Sequence, residues 1–459
     1  MGRTVLNNAE QAGPSAATRE LADWIVLTGA EDIGAVPRAW ATDAVLDWFG
    51  VTVAGSREPL SHILSETMGE EGSGPARLIG RENALSPLNA ALVNGAASHA
   101  LDYDDVNSRM LGHPTVPLVP ALLAISDMQP VSGRAFLEAF IVGYEAEVLT
   151  AEMIGQGHYD LGWHMTATVG TVGAAAASAR LLGLNAVQTA HALGLAVAQA
   201  AGLKSMFGTM SKPFQVGKAA MNGLMAASLA KKGMTSRTDA IECAQGLADT
   251  QSDGFFPVEM TSGGNRAFAV EENLFKYHAA CYLTHSPIEA ARRLRELHSI
   301  APDAVERATI EVNKGALTVC NIERPETGLE IKFSLKHTVG LALSGMDTGD
   351  LDTYSDENAQ DEMLLKFGER SMVVGIESDI WSFGRVKLDL KNGASVEETQ
   401  NVGVPASDQP EQRRRLLAKF RTVSEPVLGI RRSDELADSI LSLDDIADAS
   451  ILSEMAQPN

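Results

Sequence analysis

From Ala16 to about Asp253 the apolar residues recur at helical spacing almost without interruption. The pattern predicts helices near Ala17–Leu27, Ala39–Val53, Pro87–Leu101, Leu118–Ile125, Gly133–Ile154, Met165–Leu182, Ala186–Ala201, Phe214–Lys231 and Ser236–Thr250. Breaks such as Gly183-Leu184-Asn185 and Gly233-Met234-Thr235 carry the residues that end helices. No fixed repeat period runs through them, so one large helix bundle is expected and not a solenoid. Beyond Gly254 the pattern changes through the Gly-rich stretch Thr261–Asn265 into mixed elements. Pro287–His298 and Phe333–Leu343 read as helices, and Arg307–Val312 as a strand. Gly384–Gly393 alternates strictly and ends in Asn392-Gly393, the strongest short hairpin signal, with Val396–Val402 as the return strand. Helical spacing resumes from Gln409, in Arg413–Phe420 and an acidic amphipathic close at Ser433–Met455 that should pack back on the bundle. The fold class is therefore mainly α, with a large helical part and a small α+β part.

Two uncharged runs, Leu161–Ala179 and Leu181–Leu203, are long enough to span a bilayer. The first contains Trp163, His164 and three threonines, and the second Asn185, Gln188, His191 and Gln199, all of which hydrocarbon penalises. They are expected as buried helices, whose Gly170, Gly173, Ala174–Ala177 and Gly194 let backbones approach closely. Charge changes the picture of partners: 37 Lys and Arg stand against 59 Asp and Glu in 459 residues, a net charge of −22. With no basic run longer than Arg413–Arg415 and 5% aromatic residues, nucleic acid is excluded as a partner. The three cysteines, Cys243, Cys281 and Cys320, draw neither a disulfide framework nor a CxxC metal site, and a reducing cytoplasm is the expectation. The first twenty residues lack an apolar core and read as a mobile arm, not a signal peptide.

The densest polar cluster runs from Ser98 to Pro114 and holds Asp102, Asp104, Asp105, His99 and His113. Carboxylates so close repel one another and require donors, a cation or raised pKa values, as acid–base sites do. An acidic solvated turn has the same composition, while a Mg²⁺ or Ca²⁺ loop would need the spacing and closing Glu that are absent here. His164 in Gly162-Trp163-His164-Met165 and Lys212 in Met210-Ser211-Lys212-Pro213 both stand at loop-to-helix junctions, where a side chain can face a cleft. Each alone reads equally as a core histidine or a surface lysine. No GxSxG, Walker, GxGxxG or HExxH string is present.

Taken in order, HALDYDD followed by GHP, GWH before an Ala-rich helix, SKPFQVGKAAMNGLMAASLA, KYHAACYLTH and GLEIKFSLKHTVGLAL resemble the MmgE/PrpD family over roughly Ala17 to Ala449. The family includes 2-methylcitrate dehydratase, cis-aconitate decarboxylase and iminodisuccinate epimerase. The resemblance implies an all-helical domain built from residues 1–268 and 405–459, an α+β lid from 269–404, an active site between them, and a homodimer. It implies no cofactor and no metal. By resemblance Asp102 and His113 lie in the first active-site loop, His164 in the second and Lys212 in the SKP-type turn, as the catalytic set.

The shared chemistry of such a family, removal of a proton alpha to a carboxylate, builds an enediolate-like charge. A fixed cation such as Lys212 can stabilise it while His113 or His164 moves the proton. A substrate with two or three carboxylates needs further cations, for which Arg109, Arg266 and Lys332 are candidates, with Tyr103 and Cys281 as additional substrate contacts. An acidic chain makes such a local basic pocket the more necessary. Specificity is expected in Val106–Leu111, Cys281 and Ile322–Glu326. The string Asp102–Val106 departs from the DFNDT type of the bacterial 2-methylcitrate dehydratases, and Gly112–Pro117 from their longer GHPSDN. Cys281 and Asn321 stand where the decarboxylases carry His and Tyr, so decarboxylation draws little support. The expected activity is a lyase of dehydratase type on a small polycarboxylate, with epimerisation as the alternative and a non-catalytic helical scaffold a distant third; an iron–sulfur dehydratase would need thiolates in reach of one another.

Overall fold

A computed structural model describes residues 16–260 and 267–458. Arg266, the Gly-rich stretch Thr261–Asn265 and most of the N-terminal arm lie outside the described residues.

The large hydrophobic core is helical. It gathers Leu21, Trp48, Phe49, Phe136, Phe140, Tyr144, Val169 and Leu224 from the first part of the chain with Leu416, Phe420, Leu436, Ile440 and Leu452 from its last part. The uncharged runs fold as the buried helices Met165–Leu181 and Ala186–Val197, the latter opened by a capping box between Asn185 and Gln188. No helix among the described residues is long and apolar enough to cross a membrane.

At the centre of the bundle the helix Ser211–Lys231 lies between Pro87–His99 and Met165–Leu181. Close approach requires missing side chains. A Cβ on Gly217 would sit 2.2 Å from the Leu92 carbonyl oxygen, and one on Gly223 would sit 2.4 Å from Ala174 Cβ. These glycines bring together three helix ends that carry His99, His164 and Lys212.

One predicted helix is corrected. Residues 237–246 are turns, and only Leu247–Gln251 is helical. Gln245 takes a left-handed φ of +62°, and a Cβ on Gly246 would lie 2.5 Å from the Ala240 carbonyl oxygen. The segment is fixed instead from outside: Thr18 Oγ1 donates to Glu242 at 2.5 Å and accepts from the Ile241 N–H at 3.1 Å. Apolar spacing alone cannot register this tertiary pull. The C-terminal segment is likewise divided, into Ile430–Leu441 and Ser450–Met455.

Beyond a two-residue hairpin pair, β1 (Ala76–Arg77) and β2 (Ala84–Leu85), the strands belong to the lid. They are β3 (Val305–Asn313), β4 (Ser371–Ile376), β5 (Phe383–Leu390) and β6 (Ser395–Asn401), ordered β4-β3-β5-β6. β3 pairs parallel with β4 (Ile310 opposite Val373) and antiparallel with β5 (Ile310 opposite Val386), and β5 and β6 form the Asn-Gly hairpin. Alternation puts Ala308, Ile310, Val312, Val386 and Leu388 on one face, where the helices His285–His298 and Leu335–Ser344 cover them. The lid thus has its own small core. A third cluster, including Val51, Leu101, Tyr103, Ile331, Leu341 and Val423, joins lid and bundle.

Candidate active site

The site is assembled from helix ends. His99 is the last residue of Pro87–His99, His164 is the N-cap of Met165–Leu181, and Lys212 is in the first turn of Ser211–Lys231. His113 precedes the helix Thr115–Ser126. Between these ends the loop at Asp102 adopts a left-handed φ of +52°, a conformation uncommon outside glycine that short polar residues tolerate best.

That turn delivers the Asp102 carboxylate to two ammonium groups. Lys212 Nζ donates to its Oδ1 at 2.7 Å, and Lys276 Nζ lies 3.2 Å from the same oxygen while donating to the Asp102 carbonyl at 2.5 Å. Burial raises the Asp102 pKa, but Lys212 and Lys276, with His113 and His99 behind them, outweigh it and hold the carboxyl well below the usual range. His113 Nε2 stands 3.8 Å from Asp102 Oδ1.

Three imidazoles line up beside it. The rings of His99 and His113 are 4.6 Å apart, and those of His99 and His164 are 6.0 Å apart. The acceptors around them fix their tautomers. His99 Nδ1–H donates to Asp104 at 2.8 Å. His113 Nδ1–H faces both the Asp105 carbonyl at 2.9 Å and Asp104 Oδ2 at 3.0 Å. His164 Nδ1–H donates to Gln215 Oε1 at 3.1 Å, an oxygen identified by the Leu203 N–H that also donates to it. His99 and His164 therefore carry the Nδ1 proton and present an Nε2 lone pair, the form a general base needs, and His113 is oriented by its Nδ1 in the same way. Burial, only partly opposed by Asp104, pushes the His99 pKa down to about 4, and burial with the charges of His99 and Lys212 pushes His164 well down. Asp104 stays ionised: its two imidazole partners overcome the cost of burial.

The loop is held from the far end of the chain. Lys419, on the return helix Gln409–Leu428, donates to the Tyr103 carbonyl at 2.7 Å and pairs with Asp47 at 2.6 Å, both carboxylate and ammonium being buried.

Asp102, His99, Lys212 and Lys332 line a cleft of about 890 Å³ between bundle and lid. Lys332 is half-buried, with its ammonium 5.5 Å over the Tyr354 ring, and desolvation lowers its pKa against the pull of Asp102. His113 and His164 stand behind Asp102 and Lys212 and do not line this cleft.

Among the expected substrate contacts the structure makes two corrections. Arg109 is committed elsewhere: its Nε donates to Glu152 at 2.8 Å and its Nη1 lies 3.5 Å from Glu272. Tyr103 turns away from the cleft, donating to the Gly349 carbonyl at 3.1 Å with Lys419 3.9 Å over its ring. Cys281 is buried one layer back, its N–H on the Lys332 carbonyl at 3.0 Å. A hydrogen bond with Cys320 lowers the Cys281 thiol pKa and raises that of Cys320.

Lys276 and Gln215 are the site residues missed by sequence reading, while Asp104 was noted in the polar cluster without its part in holding two imidazoles. Lys276 opens the string KYHAACYLTH, where a lysine entering an apolar run was the available signal. Gln215 follows Lys212 by three residues, one helical turn along the same face.

His99, Asp102, Asp104 and His113 offer ligand atoms within 4.8 Å of one another. A divalent ion there would have to displace two ammonium groups from Asp102 and two imidazole N–H groups from Asp104, so the donor set fits protonated partners better than a metal.

Comparison with known proteins agrees with this architecture. The MmgE/PrpD N-terminal domain matches residues 19–258 and the MmgE/PrpD C-terminal domain residues 278–445. The cis-aconitate decarboxylase of Aspergillus terreus is 28% identical over 98% of this chain and 97% of its own length. A cis-aconitate decarboxylase-like protein of Aspergillus oryzae is 28% identical over 95% of this chain and 96% of its own. The Homo sapiens cis-aconitate decarboxylase is 25% identical over 90% and 88%. With both halves matched in order, this chain belongs to the MmgE/PrpD family and is an enzyme of lyase type.

Proposed function

We propose that the enzyme transfers a proton at the carbon next to a carboxylate of a small di- or tricarboxylate and eliminates a group from the adjacent carbon, without a cofactor. The observation that carries this reading is the Asp102 carboxylate held by Lys212 and Lys276 with the Nε2 of His113 3.8 Å from the same oxygen. A substrate carboxylate entering the cleft meets Lys212 in the place Asp102 now occupies, and Lys332 receives a second one. With the Asp102 carboxylate displaced, His113, whose Nε2 stands 3.8 Å from its Oδ1, or His164 is uncovered to take the alpha proton through Nε2. The C–H electron pair becomes an enediolate stabilised by Lys212, then forms the C=C bond as the beta hydroxyl leaves as water with the proton that Nε2 has just taken. Asp104 and Gln215 keep the two rings in the required tautomer.

The relatives' printed activity is loss of CO₂ from cis-aconitate, which supports a lyase. Cys281 and Asn321, where the family's decarboxylases carry His and Tyr, favour loss of hydroxide. Unpaired thiols at Cys243, Cys281 and Cys320 support a reducing, cytoplasmic setting. The run of exposed Leu203, Phe207, Met210 and Phe214 beside the site supports a homodimer, which analytical ultracentrifugation checks.

Proton NMR in D₂O with citrate, 2-methylcitrate, cis-aconitate and enantiopure iminodisuccinate tests the reaction. New vinyl signals from a hydroxy acid are expected. Deuterium uptake with loss of optical purity and no vinyl product would overturn elimination in favour of epimerisation.

A further inference from the structure

Among the described residues His99 is the one imidazole that lines the cleft between bundle and lid. The cleft is rich in charge: Arg57, Glu58, Asp350 and Asp352 line it beside Asp102, Lys212 and Lys332, and all of these are at least partly exposed. Only two titratable side chains of its lining are buried. Tyr354 is satisfied, its hydroxyl donating to the Thr348 carbonyl at 2.9 Å. His99 is satisfied at one end alone. Its Nδ1–H donates to the buried Asp104 carboxylate at 2.8 Å, while its Nε2, on a side chain 0% exposed, meets no donor in the protein. Asp102, held ionised by its two lysines, has no hydrogen to give it. Leaving a buried acceptor unmade costs more than a typical hydrogen bond returns, so such a group calls for a partner from outside.

Neither an ionised carboxylate nor a hydrocarbon chain can complete Nε2, since neither brings a donor; a hydroxyl can. We propose that His99 is a specificity-determining substrate contact, its Nε2 accepting the hydrogen of the substrate hydroxyl that leaves. The proposal rests on the elimination read above and assigns the residue that recognises the departing group. The ring of His113 lies 4.6 Å from that of His99, so a hydroxyl held by one imidazole is within reach of the other. The hydroxyl points its own hydrogen at His99 and keeps its oxygen lone pairs for the alpha proton that the base carries. When the C–O bond breaks, the oxygen departs with both hydrogens as water. His99 ends as it began, neutral and protonated on Nδ1. Asp104 fixes that state, because an ionised carboxylate holding Nδ1–H leaves the lone pair on Nε2. An acid without the hydroxyl would bury the same lone pair unmet, and sites built to bond a hydroxyl reject such analogues strongly.

The experiment is calorimetric titration of the full chain with pairs of acids that differ by one hydroxyl. Malonate and hydroxymalonate, neither of which can eliminate, are compared in the wild type. Tricarballylate and citrate are compared in His113→Ala, which removes turnover. The hydroxy acid of each pair is expected to bind about 10–100-fold tighter, the range for satisfying a buried acceptor. His99→Asn keeps a donor for Asp104 and removes the acceptor. Added to each background, it should bring the ratios within about twofold of one while leaving malonate and tricarballylate affinities within about threefold. His99→Gln, whose amide oxygen reaches the Nε2 position, should restore part of the ratio, an outcome that loss of packing alone would not give. Circular dichroism checks that the variants fold, and the ratios without a change at His99 decide the matter if they do not. Ratios near one in both pairs, or ratios that survive in folded His99→Asn, overturn the role of His99 and leave the polycarboxylate reading standing. No binding of any of the four acids overturns that reading and the role of His99 with it.

Discussion

The two halves of the site are built differently. On the bundle side the groups are tied down by one another: Asp102 by two lysines, Asp104 by two imidazoles, His164 by Gln215, and the loop itself by Lys419. On the lid side Lys332 is half-buried over an aromatic ring, with no carboxylate within ion-pair distance among the described residues. An anchored network holds proton-transfer groups at fixed spacing, which chemistry needs. A half-buried ammonium without an ion-pair partner can receive an anion from outside. The bundle is suited to the reaction and the lid to the choice of substrate.

Breaking the bundle side should have the largest effect. Lys212→Ala is expected to lower kcat by about 10³-fold, the scale of losing a preorganised charge stabiliser, with the melting temperature nearly unchanged. His113→Ala should fall within roughly 10²–10⁴-fold, as for a general acid–base group. Steady-state rates beside thermal melts check both, and a folded variant with full activity would remove either residue from the mechanism. Lys419→Met tests the tether. It leaves Asp47 buried without its partner, a change that costs about 3–5 kcal/mol, and denaturant titration should show the loss. The lid side should respond more mildly and in another parameter: Lys332→Met is expected to raise KM about 10–100-fold, the worth of a hydrogen bond to a charged group, with kcat little changed.

The smallest effect is the pH dependence of stability. His99, lowered to about 4, and His164, lowered well below its ordinary value, bind protons more weakly folded than unfolded. The unfolded chain therefore gains protons first as pH falls below about 6.5, and stability is lost from there down toward the folded pKa. His99→Asn, which keeps an amide donor for Asp104, should remove up to about 1.4 kcal/mol per pH unit of that slope. An unchanged slope would show that His99 is not held neutral.

How far the sequence reached follows from where each signal is written. Helices with sustained apolar spacing and the Asn-Gly hairpin are local patterns, and the structure contains them. β4 was missed because a parallel strand pairs with a segment some sixty residues earlier, and Ser371–Ile376 has neither alternation nor a hairpin turn to announce it. Asp102, His113, His164 and Lys212 stood out as polar groups in distinctive strings at helix ends, and the fold brings them together. Arg109 was misread because a lone arginine in a loop looks like a free cation; its partner Glu152 is 43 residues away and invisible in linear order. Lys276 was overlooked for the mirror reason, since nothing beside it in the chain reveals that it will meet Asp102, 174 residues earlier.

The bond from Lys419 to the Tyr103 carbonyl spans 316 residues. At a synthesis rate of about 5–20 residues per second, that interval lasts roughly 15–60 s on the ribosome. Throughout it the loop carrying Asp102 exists without the group that holds its backbone in place. Catalytic competence in this protein therefore waits for synthesis of the return helix, so that nascent chains halted before it would accumulate as folded-looking but inert bundles.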